Sequence, residues 1–188
     1  MFNEIEQAIV AVLADAAKGL PHDSGQPWYV PVAHIGRRPP DLKGNLANVL
    51  PAVCFALSEF TMAEDGFGIG ELAGEAESRT ELRKLRFDLL YHLDVWATGL
   101  DQANAIAQKA VECLLWARDG LVGTRGDDYR LLEIRPVAGR DVPLQLQGAT
   151  AFRRQLDYRI ESELLMTITH VPIREVIIEK VEWKIGEG

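Results

Sequence analysis

Polar and apolar residues alternate over two long stretches of the chain. From Leu85, every second position is apolar through Phe87, Leu89, Tyr91, Leu93 and Val95, while Lys84, Arg86, Asp88, His92 and Asp94 fill the positions between. A period of two places one set on a buried face and the other in solvent, the pattern of a half-buried antiparallel strand. The pattern returns from Phe152, with Leu156, Tyr158, Ile160, Leu164, Met166 and Ile168 set against Arg153, Gln155, Asp157, Arg159, Glu161 and Glu163. The spacing predicts strands over 82–97 and 152–170, both beyond the usual 3–10 residues. At about 3.3 Å per residue the first would reach roughly 50 Å.

Two other segments carry the helical spacing of three and four. Phe2, Ile5, Ile9, Val12, Leu13 and Ala16 share one face, with Asn3 and Glu6 placed for a capping box and Gly19 and Pro21 for the stop. Asp101 is placed to cap a second helix, whose face is Ala103, Ile106, Ala107, Ala110, Val111, Leu114 and Ala117 and whose end is Gly120. Further strands are expected at 49–60, at 128–137 with Pro136 as the stop, and at 176–185 beyond the break at Pro172. Between them, 20–48 is rich in proline and glycine and has room for one short strand near 29–35. The segment 61–80 combines Gly66, Gly68, Gly70 and Gly74 with Glu64, Asp65, Glu71, Glu75 and Glu77, and is expected to be a long acidic loop. These elements predict an α+β fold, a mostly antiparallel sheet with long strands packed by two main helices, forming one domain over 1–188.

The polar faces of the two long strands test their pairing. If partners sum to 247, Lys84 faces Glu163, Arg86 faces Glu161, Asp88 faces Arg159 and Asp94 faces Arg153. Sliding by two in either direction opposes like charges, for example Asp88 with Glu161. Opposed charges across a ladder contribute roughly 0.2–1 kcal/mol each, so charge favours the first register while the apolar face fixes its parity.

Composition narrows the function classes. A net charge of −8 lacks the clustered Lys and Arg of a nucleic-acid surface. Cys54 and Cys113 fall in an apolar strand and a helix face and are expected to be buried thiols. The acidic, amphipathic opening residues do not read as a signal peptide, and no apolar run reaches the roughly 18 residues of a membrane span. Gly66-Phe67-Gly68-Ile69-Gly70 lacks the spacing and the strand–helix setting of a dinucleotide loop, and its acidic surroundings would repel phosphate. His92 and Asp94 share a strand face without an identifiable third partner, and Asp94 is assigned to Arg153. His22, His34 and His170 show no ligand spacing. Ser24, Ser58, Ser78 and Ser162 lie in no nucleophile elbow. Trp28, Trp96, Trp116 and Trp183 suit core or interface anchors, because basic residues do not accompany them. No catalytic, cofactor-binding or metal-binding residue is expected, and the chain is not expected to be an enzyme.

The run Leu89-Leu90-Tyr91-His92-Leu93-Asp94-Val95-Trp96-Ala97 followed by a helix, and the later run Arg154-Gln155-Leu156-Asp157-Tyr158-Arg159-Ile160-Glu161 closed by Val171-Pro172-Ile173, resemble tail terminator and tail-completion proteins of tailed phages and contractile injection systems. The resemblance is one of layout from Val49 onward and involves no diagnostic motif. It implies a structural assembly protein of the virion tail, put together in the host cytoplasm as a ring, usually a hexamer. Such a ring caps the tail tube, ends tube and sheath polymerisation and joins tail to neck or head. The implied partners are further copies of the chain, the tail tube protein, the sheath protein and a neck or head-completion protein. DNA would pass the acidic lumen without specific binding, and no membrane is involved. A small-ligand or regulatory α+β binding module, or another neck or minor tail protein, are the alternatives.

Overall fold

The computed structural model describes residues 1–43, 45–73, 79–125, 129–146 and 149–170. The expected strand at 176–185, with Trp183, and the break at Pro172 lie outside the described residues. The fold is α+β, as the periodicities predict: the described residues form six strands in the order β1-β2-β3-β6-β5-β4, with two α-helices. The strands are β1 (Ile35–Gly36), β2 (Ala52–Ala73), β3 (Arg79–Ala97), β4 (Gly123–Arg125), β5 (Tyr129–Leu146) and β6 (Ala149–His170), and the helices are α1 (Phe2–Leu13) and α2 (Leu100–Leu121). Every ladder is antiparallel except the two-residue β1–β2 pairing.

Both helices lie on one face of the sheet. Ile5, Ile9 and Leu13 of α1 and Ala103, Ile106, Ala107, Ala110, Cys113 and Leu114 of α2 are buried against Phe55, Leu89, Tyr91, Leu93, Val95, Tyr158 and Ile160. Phe55 stacks on Tyr91 with centroids 4.9 Å apart and meets Tyr158 edge-on at 6.3 Å. The smaller opposite-face cluster is Leu50, Ala52, Trp96 and Ala151, over which Leu42, Leu46 and Val49 fold. The proline- and glycine-rich segment therefore has a covering role. It holds two short 3-10 turns, Val32–His34 and Leu46–Asn48, and its strand is confined to Ile35–Gly36.

Several expectations are corrected. Most of the expected loop is strand: β2 runs on to Ala73 and β3 begins at Arg79, and 74–78, with Gly74, Glu75 and Glu77, lie outside the described residues. Register shifts absorb the glycine-rich sequence, since Met62 pairs Phe87 while Phe67 pairs Leu85. Pro136 does not stop β5, which continues to Leu146. Pro136 pairs Tyr158 and Ala138 pairs Asp157, so Val137 is a bulge residue, and β4 covers only Tyr129, Arg130 and Leu131 of the outer edge. A missing N–H is tolerated at such an edge. Asn3 and Glu6 form no capping box, because other partners take both side chains. Asn3 Oδ1 accepts from Arg37, and Glu6 Oε1 accepts from the Leu57 N–H at 3.0 Å, beside the β2 shift between Leu57 and Glu59. Asp101 sits in the first turn of α2 without capping it, where its charge still suits the helix N-terminus. Ala16 is exposed beyond the end of α1, and the chain turns there through Asp15, whose Oδ1 accepts from the Ala17 and Lys18 N–H groups.

The β3–β6 ladder sums to 249, two residues from the charge-matched register: Arg86 lies opposite Glu163 and Asp88 opposite Glu161. The expected charge partners nevertheless meet, along the diagonal. Arg86 pairs with Glu161, Arg159 donates to Asp88 at 2.6 Å, and Arg153 donates twice to Asp94, at 3.0 and 2.8 Å. Diagonal neighbours on a sheet face lie within reach of long side chains. Direct opposition of Asp88 with Glu161 is thereby relieved.

Candidate functional site

The sheet face opposite the helices carries a polar strip built by even positions of β3 and odd positions of β6. His92 Nδ1 lies 2.7 Å from Asp157 Oδ1, and Gln155 Nε2 donates to the same oxygen at 2.8 Å. Arg153 adds a 3.3 Å bond to Gln155 Oε1 and rests over the Trp96 ring at 5.2 Å. Gln155 and Asp94 are buried, 3% and 8% exposed. His92 thus gains a carboxylate partner, Asp157, that its own strand does not supply, while Asp94 goes to Arg153. Arg86–Glu161, Arg159–Asp88, Arg153–Asp94 and His92–Asp157 pair within this strip as a largely structural network, while Trp96 Nε1 is buried with no hydrogen-bond partner among the described residues.

The remaining candidates are dispersed. His34 Nδ1 lies 3.0 Å from the Pro51 carbonyl, His22 is exposed after α1, and His170 ends β6. Ser162 is fully buried and its hydroxyl donates to Met1 Sδ. Ser24 and Ser58 lie apart, and Ser78 is outside the described residues, as are Glu75 and Glu77. Gly66, Gly68 and Gly70 fall within β2 and precede no helix. Cys54 and Cys113 are free and buried. Burial, then the nearby Asp94 carboxylate, pushes the Cys54 thiol up to about 12, and burial also raises that of Cys113. Cys54 lacks the electropositive setting of a nucleophilic thiolate, and at Cys113 burial outweighs the lowering by nearby Lys109. Among the described residues, no three or more His, Cys, Asp or Glu side chains group as a metal site. No described helix is long and apolar enough to cross a membrane.

What stands out is exposed apolar surface. Trp116 is 87% and Leu115 65% exposed on the outer side of α2, and Phe60 and Met62 of β2 are 56% and 61% exposed. Phe60 and Met62 pair with Leu89 and Phe87, so they share the helix-covered face of the sheet but lie where that cover ends, at Phe2. Beside Trp116, the end of α1, the following turn and α2 enclose an open groove of about 580 Å³ lined by Val12, Cys113 and Ala117 with Lys18, His22 and Lys109. Sequence reasoning assigned Trp116 to core or interface without choosing, and it assigned Met62 to a loop. A helical wheel would have set Leu115 and Trp116 opposite the Ile106–Ala110 face.

No protein-family model matches the chain and no curated protein matches it. Among solved structures, it is similar to a chain of the virion of a native gene transfer agent (GTA) particle, at 17% identity over 70% of this chain and 80% of that one, with a TM-score of 0.35. Likeness at that level assigns neither family nor role.

Proposed function

We propose that the chain is a non-enzymatic assembly subunit of a virion tail, of the terminator or tail-completion kind, acting as a ring that caps the tail tube and presents its other side to the neck. One observation carries the assembly part: the sheet outruns its helical cover. A strand of 22 residues such as β2 or β6 spans about 70 Å, whereas α2, also 22 residues, spans about 33 Å. Among the described residues, two helices on one face do not reach along a sheet of that length, and the small second layer covers the Trp96 end of the other face. Isolated sheet surface of this extent is a partner site or a liability. Among the described residues, β1 pairs only Val53 and Cys54, and β4 only three residues of β5, so β2 and β5 also present long edges.

The tail assignment within that class comes from the layout of 89–97 and 154–161. The charge of −8 suits a lumen that DNA traverses without sticking. The test is polymerisation of the cognate tail tube protein with and without the purified chain. Tubes of limited length with density for the chain at one end support the proposal. Tubes that grow unchanged, with no bound chain, refute it.

A further inference from the structure

We propose that Glu6 guards the edge of the sheet, closing β2 against strand addition at the point where β1 leaves it. The inference does not rest on the ring assignment. Among the described residues, β1 covers β2 only at Val53 and Cys54, so from Phe55 onward that edge has no strand beside it. A bare edge of this kind is a template for another chain. Just beyond Cys54, the Leu57 N–H donates to Glu6 Oε1 at 3.0 Å. Leu57 pairs Tyr91 and Glu59 pairs Leu90, which leaves Ser58 out of the ladder as a bulge. A bulge and a captured N–H at one place both disrupt the row of donors and acceptors that an incoming strand needs. The carboxylate accepts but does not donate, and its charge repels the carbonyl oxygens of such a strand.

Glu6 is built into this position. Its side chain is 14% exposed, against 55% for Glu4 in the same helix. A carboxylate so far buried costs free energy unless it is paired, and an apolar residue beside Ile5 and Ile9 would tie the helix down as well. What the acid adds is a bond to the strand edge. Arg37, the residue after β1, holds it there: Nη1 lies 3.6 Å from Glu6 Oε2 and donates to Asn3 Oδ1 at 3.1 Å. The guard thus joins α1, the end of β1 and β2. The far edge is closed by other means. Beyond β4, β5 carries Pro136 and Pro143, which lack an N–H, the bulge residue Val137, and exposed Arg135 and Arg140. On β2 the exposed Phe60 and Met62 come after Leu57, so Glu6 also marks where the open stretch of that edge begins.

Amide hydrogen exchange and sedimentation of the full chain carrying E6L or E6Q test this. E6L keeps apolar packing and removes the acceptor, whereas E6Q keeps an acceptor oxygen for the Leu57 N–H. In wild type the Leu57 amide is protected. In E6L its protection falls about tenfold or more, as for loss of a bond to a charged acceptor, while the amides of Leu93 and Val95 keep theirs. E6L also forms species larger than any wild type forms at the same concentration, and E6Q matches wild type in both readings. An E6L chain that keeps the wild-type mass, or keeps its Leu57 amide protected, overturns the inference. So does an E6Q chain that associates as E6L does. A Leu57 amide that exchanges freely in wild type overturns it even where neither variant folds.

Discussion

Replacing Asp94 with alanine probes how the long strands are held in register. Its carboxylate receives two bonds from Arg153, at 3.0 and 2.8 Å, in a fork geometry that exceeds a single contact in strength. The side chains are 11% and 25% exposed, between a solvated surface pair and a dry one. Surface pairs contribute about 0–1 kcal/mol and breaking a fully buried pair costs about 3–5, so D94A should cost about 2 kcal/mol. Part of the loss is moderated because Arg153 keeps Gln155 Oε1 at 3.3 Å and the Trp96 face at 5.2 Å. For a chain of this length that lowers Tm by roughly 4–8 °C. Urea unfolding of D94A, R153A and the double variant, at constant m-value, should give a coupling energy of about 1–1.5 kcal/mol. Costs that add to within about 0.4 kcal/mol would refute a direct diagonal pair, and with it the account of how charge tolerates the 249 register.

Other consequences can be checked separately. F55A removes the ring stacked on Tyr91 and should cost about 3–5 kcal/mol in denaturant unfolding. G19A would set a Cβ 2.5 Å from the Leu13 carbonyl oxygen and 2.7 Å from that of Asp15, backbone atoms that cannot swing aside, and should lower stability by about 1–3 kcal/mol. A thiol reagent at pH 8 should fail to label Cys54 in the native chain and label it in denaturant. Because the Cys54 pKa rises from 9.0 to about 12 on folding, its contribution is intact below pH 9 and is lost as pH climbs towards 12. The melting temperature of wild type should therefore fall more steeply above pH 9 than that of C54A.

The faces of the sheet were legible because side-chain parity follows directly from a period of two, and nothing in the tertiary structure reverses it on β3 or β6. The charge partners were legible too, but not the register. Arg86, Arg153 and Arg159 reach a carboxylate equally well straight across or on the diagonal, so complementarity alone leaves a two-residue ambiguity. Glycines and acids between Thr61 and Ala73 argue against a strand locally, yet β3 supplies a ladder partner that outweighs propensity. Pro136 reads as a stop only if both edges of its strand need donors, and edge status is a property of the whole sheet. The capping box at Asn3 failed because Arg37 and Leu57, distant in sequence, compete for the same side chains. The exposed patches had the weakest signal: apolar residues at Phe60, Met62, Leu115 and Trp116 differ from core residues only in what covers them.

That surface makes assembly the central claim, and the mass of the purified wild-type chain in solution tests it most directly. A ring predicts a closed species near six times the 20.9 kDa of one chain, with no larger open polymers. A single species at 20.9 kDa across the whole concentration range would contradict it.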